Sequence, residues 1–219
     1  MMEKSTLFIV NGKKPGEPYN EVLSFWLPPD SPYGNLQLKY MKIILRLDEA
    51  NRKIADSLHF WGACQGGGML PIGAFERHIF SNEEAIYMLR RAADELVSLV
   101  WLLSKYEADN QYPRSIKIDC LGAVVSQDES SRHEAYAEHV ELMKILNDIA
   151  NAFKHSFVNS DQTIIGAREP RIHALALAFN KLGSAPKFYD VSISELTGKF
   201  NAFYESCVSW LSAYSARNR

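Results

Sequence analysis

The sequence predicts a mainly α fold: a bundle of four long helices with a small antiparallel β element. Three observations predict it. Apolar residues recur at helical spacing in four long stretches, each with one stripe that needs a partner. Between residues 162 and 192 the period changes, and β-branched and aromatic residues fall between turn signals. Hydrophobic residues make up 47% and charged residues 23% of the 219, enough apolar material to pack one large domain.

Residues 1–35 form a Pro- and Gly-rich opening, KKPGEP and then WLPPDSPYG, expected to lie on a helical body spanning 36–219. Short strands are expected there at 6–10 and 22–27. The first helix begins near Asn35, with Tyr40, Ile43, Leu47, Ile54, Leu58 and Trp61 on one stripe. Asn51 falls inside that stripe, and the glycine-rich run after Gly62 ends the helix. Ser81 and Glu84 have the spacing of a capping box, so the second helix is expected to open at Ser81. Its core face is Ala85, Leu89, Ala92, Leu96, Leu99 and Leu103. Arg90, Asp94 and Trp101 fall on the other face, and a tryptophan there calls for cover by a second element or another subunit.

Residues 107–128 read as a connection with short strands at 116–118 and 122–125. The third helix is expected over 131–158, N-capped by Ser131, with Ala135, Leu142, Met143, Leu146, Ala150, Phe153 and Phe157 inward. His139 falls near the middle of that stripe. A buried histidine needs a hydrogen-bond partner, and Asn51 is the natural candidate. QTIIGA, RIHALALAF and KFYDVSI read as a meander, although HALALAF also suits a helix. The last helix starts at Ser192, which pairs with Glu195 in a second capping box. Leu196, Phe200, Phe203, Tyr204, Cys207, Leu211 and Tyr214 point inward, and Gly198 is expected at a close packing contact.

Twenty-four Lys and Arg against 26 Asp and Glu leave a net charge of -2. With no basic excess, any contact with nucleic acid must come from a local patch. Three cysteines without a CxxC pair point to reduced thiols in the cytoplasm, not to a disulfide framework or a zinc site. The longest apolar run, 96–103, falls well short of the roughly 20 residues of a membrane span, so no membrane partner is expected. Gly66, Gly67 and Gly68 precede no lysine and fail as a phosphate loop. HEAYAEH misses the HExxH pattern, and no GxSxG elbow occurs. No metal or cofactor is therefore expected.

The informative stretch is NDIANAFKHS, beginning at Asn147. At about 100° per residue, Asn147, Asn151 and Lys154 edge the core stripe. Lys144, Asp148, Asn151 and His155 form a polar strip turned away from it. A helix that ends in NxxKHS, late in a helical domain, resembles the HEPN superfamily over roughly residues 36–215. The resemblance implies a homodimer, RNA or nucleotide as ligand, and a toxin–antitoxin or defence setting. Members that cleave RNA do so without metal, using an arginine, a polar residue and a histidine.

Here His155 matches the histidine, which would move a proton or position the ribose 2′-OH. Asp148 or Asn151 matches the polar position. Asn147 stands where the arginine is expected and cannot neutralise phosphate, which counts against cleavage. Lys154, or Arg90 or Arg91 from another helix, would have to supply that charge. Lys144, Asn151, Lys154 and Arg90 are the candidate ligand contacts. Three other readings stay open: a solvated helix face with a basic C-terminus, the surface of a non-catalytic homodimeric scaffold, and a small-molecule pocket near Asn51 and His139.

Overall fold

The structure, a computed structural model, describes residues 25–65, 73–155, 167, 169–176 and 185–218. In chain order the elements are α1 (Leu36–Gln65), α2 (Ala74–Asp109), α3 (Leu121–Val125), α4 (Glu134–Ala137) and α5 (Val140–His155). β1 (Arg171–Ala176), β2 (Lys187–Ser192) and α6 (Ile193–Arg217) follow. The fold is mainly helical with a small antiparallel sheet, as expected. α1, α2, α5 and α6 are its long members.

α1 starts where Asn35 Oδ1 accepts the Leu38 N–H at 2.9 Å, satisfying one of the donors a helix start leaves open. Tyr40, Ile43, Leu47 and Ile54 are buried as the stripe requires, and the helix runs past Gly62 to Gln65. The residues before it are tied down at two points. Trp26 N–H donates to Ser215 Oγ at 2.8 Å, and Leu27 N–H donates to Gln37 Oε1 at 2.7 Å.

α2 does not open at the capping box. It begins at Ala74, about two turns earlier. Gly73, with φ of 77°, turns the chain there in a conformation other residues adopt only at a cost. Ser81 lies buried inside the helix. From Ala92 to Leu103 the helix is buried on nearly every side, with α1, α3, α5 and α6 packed against it. Asp94 and Trp101 were expected on an outward face. Each is only 7% exposed, so the cover over Trp101 comes from this chain.

The connection holds no strand at 116–118 or 122–125. Residues 121–125 form α3, whose first N–H, on Leu121, donates to Asp94 Oδ1 at 2.8 Å. The expected third helix is broken into a 3-10 turn (Glu129–Ser131), α4 and α5. His133 takes the capping role assigned to Ser131: its Nδ1 accepts the Ala135 N–H at 3.1 Å. Ser131 instead donates its hydroxyl to the Asp128 carbonyl. Leu142, Met143, Leu146 and Ala150 are buried as expected.

β1 and β2 pair antiparallel, from Arg171 opposite Ser192 to Ala176 opposite Lys187. RIHALA is therefore strand. Ser192 caps α6 by accepting the Glu195 N–H at 3.1 Å, and all seven inward residues predicted for α6 are buried. Nothing lies within 4 Å of where a Cβ on Gly198 would stand, so no close contact explains that glycine. The strand expected at 6–10, residues 22–24 of that at 22–27, the glycines at 66–68, Phe157 and all of QTIIGA but Ala167 lie outside the described residues, and residues 25–27 form no strand. Among those described, no helix is long and apolar enough to cross a membrane.

The buried histidine is His78, not His139. His139 sits half-buried between α4 and α5 with its ring against Phe203. His78 joins α1 to α2 through a closed polar ring. Its Nδ1 lies 3.0 Å from the Ser57 carbonyl, its Nε2 lies 3.3 Å from Asn82 Nδ2, and the Ser57 hydroxyl donates to Asn82 Oδ1 at 2.6 Å. The arrangement suits a neutral ring that donates from Nδ1 and accepts at Nε2. Burial pulls its pKa below the ordinary value, the bond to Ser57 opposes this, and His173 adds to the lowering.

A histidine held neutral leaves stability intact above its unfolded pKa, about 6.5, and costs stability as pH falls through that value. Urea unfolding across pH 7.5 to 5 is expected to show this loss. The slope should be shallower in His78→Gln, with His133 and His139, also lowered by burial, carrying the remainder.

Candidate functional site

The polar strip on α5 is where the sequence placed function. Lys144, Lys154 and His155 are exposed, while Asn147, Asp148 and Asn151 are half-buried. Lys154 and His155 occupy the last turn, where cationic groups meet the negative end of the helix dipole.

Asp148 is not a free acid at this strip. It accepts the Tyr189 hydroxyl and has Lys187 Nζ at 3.9 Å. Lys187 in turn stands 4.4 Å from the Tyr189 ring centroid. Burial, and then the bond to Asp148, raise the Tyr189 pKa. Asp148 thus fastens α5 to β2.

Asn147 has a different neighbour. Its Oδ1 faces Arg90 Nη2 at 3.4 Å. A guanidinium from α2 thus stands beside Asn147. Arg90 Nε lies 3.9 Å from Asp94 Oδ2 and is buried without a hydrogen bond among the described residues. Burial pushes the Asp94 carboxyl upward, while the Leu121 N–H, then Arg90 and Arg91, draw it back. Arg90 is therefore shared between an amide and a buried carboxylate.

Asn147 and His155 are eight residues apart on one helix, about 12 Å of rise. The fold brings Arg90 to Asn147 and Asp148 to the hairpin, and leaves His155 beside Lys154 at the far end. Arg90 and the His155 imidazole are thus not brought together at one point of α5 among the described residues. Among the described residues no group of three or more His, Cys, Asp or Glu side chains is placed to hold a metal ion.

A second feature was missed in the sequence. A groove of about 410 Å³ runs between α1, α2 and the segment around Ile116. Leu36, Ile43, Leu99, Leu102, Ile116 and Tyr33 give it apolar walls, and Lys39, Lys42, Arg46 and Arg91 supply cations. Arg46 grips Glu95 with two N–H groups at 3.0 and 3.1 Å, and Arg91 Nε reaches the same carboxylate at 3.1 Å. Lys39 and Lys42 form no ion pair among the described residues. The available signal was Lys39, Lys42 and Arg46 at i, i+3 and i+7, bordering the α1 stripe. Neither Asn51 nor His139 lines the groove.

Compared with protein-family models, with curated proteins and with solved structures, the chain matches none.

Asp94 is the polar anchor between the two features. Asp94→Ala leaves the Leu121 N–H without its acceptor and Arg90 without its counter-charge. A loss of about 1–3 kcal/mol in chemical unfolding is expected. A change within a few tenths would show that α3 does not need this bond.

Proposed function

We propose that the chain is a HEPN-like helical module that binds RNA or nucleotide along the polar strip of α5, within the toxin–antitoxin or defence setting that the resemblance implies. The observation that carries this reading is Arg90 against Asn147. It returns a guanidinium to the strip at the place where the motif lacks one. Lys144 and Lys154, exposed on the same helix, add two cations to the strip that a phosphate backbone could meet. His155 stands too far along the helix to act with Arg90 on one phosphate. The reading is therefore of binding, and cleavage would need a second copy to bring its own groups to His155.

The alternative is a non-catalytic homodimeric scaffold, and a separate observation favours it. Leu38, Met41 and Leu45 follow one another along α1 at i, i+3 and i+7, with exposures of 55%, 38% and 55%. Such a stripe has the spacing of a helix-packing surface. Trp101, buried within the chain, takes no part in it.

Fluorescence anisotropy with a labelled single-stranded RNA, over a salt series, tests the first reading. Replacing both Lys144 and Lys154 with alanine should weaken binding and reduce the log–log salt slope by about 1.4, the value for two phosphate contacts on a single strand. RNA that binds neither protein, or both equally, overturns it. His155→Ala, assayed for RNA cleavage on gels, tests the catalytic extension. The scaffold reading expects a dimer by light scattering that Leu38→Asp with Leu45→Asp converts to monomer.

A further inference from the structure

We propose that the groove between α1 and α2 is a binding site for a small amphiphilic anion: one carboxylate or phosphate-monoester head on a short apolar body. The site is separate from the α5 strip, and the inference does not rest on the RNA reading.

Three features of the groove define this ligand. Its size, about 410 Å³, lies within the range of small-molecule sites. Its walls are aliphatic: Leu36 and Ile43 come from α1, Leu99 and Leu102 from α2, and Ile116 from the connection. They offer a body without hydrogen-bonding groups a place out of water. The third feature is the arrangement of charge.

Arg46 and Arg91 already share Glu95, which holds both guanidinium groups on one wall with a net charge of +1 left between the three. Lys39 and Lys42 both stand on α1 beside the aliphatic wall and have no ion-pair partner among the described residues. A lysine can lay its methylenes along apolar surface while its ammonium stays at the rim. Two such groups at i and i+3 suit one anionic head above the apolar floor.

The same charges limit the size of the head. Against four cations the lining sets three carboxylates, Asp94, Glu95 and Asp119, so the balance is +1. A single anion is attracted. A polyanion such as a triphosphate or an RNA backbone would bring charge against Asp119 and Glu95 as well. Apolar enclosure and a one-sided cationic rim together select an amphiphile over free phosphate and over nucleic acid.

Isothermal titration calorimetry on the full chain tests this with inorganic phosphate, butyl phosphate, hexyl phosphate, hexanoate and ATP. Hexyl phosphate or hexanoate is expected to bind, and the tighter of the two assigns the head group. Affinity should rise roughly two- to fourfold per methylene from butyl to hexyl phosphate, as burial of each methylene implies. Inorganic phosphate and ATP should bind more weakly than hexyl phosphate.

Lys39→Ala with Lys42→Ala should weaken hexyl phosphate binding about fivefold to tenfold. Both lysines are exposed, so an unchanged melting temperature will confirm that this variant folds. Ile116→Trp, which fills the groove from a partly buried position, should abolish binding. The Lys144 and Lys154 double variant should bind hexyl phosphate like the unaltered protein. That arm separates failure here from failure of the RNA reading. The proposal is overturned if no amphiphile binds, if phosphate or ATP binds as tightly as hexyl phosphate, or if the groove variants bind unchanged.

Discussion

The fold is organised by the burial of α2. Between Ala92 and Leu103 its residues are covered on nearly every side, so no single partner could shield the helix. α1 takes one side, and α3, α5 and α6 take the others. An amphipathic helix needs one neighbour, whereas a helix buried all round sets the positions of several. The burial also carries Asp94 into the interior, where a carboxylate is costly unless bonded. The Leu121 N–H and the Arg90 guanidinium answer that need, and in doing so they set where α3 lies.

Much of this architecture was legible from residue spacing. The stripes of α1 and α6, the inward residues of α5 and the cap at Ser192 are local patterns, and local patterns survive into the fold. Two local signals misled. Ser81 and Glu84 have the spacing of a capping box, but Ser81 is buried against neighbours the sequence does not order, and Gly73 opens the helix further upstream. The break between α4 and α5 falls where the apolar period hardly changes. Nothing in the periodicity distinguishes a continuous helix from a short one and a long one with a turn at Glu138 and His139. Asp94 and Trp101 looked outward because a single stripe was assumed for a helix that has almost no outside.

The site was less legible, because its contacts join distant parts of the chain. The exposure of Lys144, Lys154 and His155 follows from helical angle alone. The use of Asp148 by Tyr189 does not, since the hydroxyl comes from the hairpin. Arg90 reaches Asn147 across 57 residues, and no spacing rule contains that number. The groove depends on three segments meeting, α1, α2 and the irregular chain around Ile116. On α1 alone, Lys39 and Lys42 are ordinary solvated lysines. Their meaning comes from the aliphatic walls set beside them.

Arg90 and Arg91 are consecutive, yet they serve different sides of α2, one facing Asn147 of α5 and the other Glu95 at the groove. Each residue of a helix is rotated about 100° from the last, and that rotation alone parts the two guanidinium groups. Their division of labour is held by the phase of the helix as it leaves Gly73. Point substitutions can tune one surface and leave the other untouched. A single inserted or deleted residue between Gly73 and Arg90 would turn both at once, so the two surfaces can diverge in chemistry but are bound to share one reading frame of the helix.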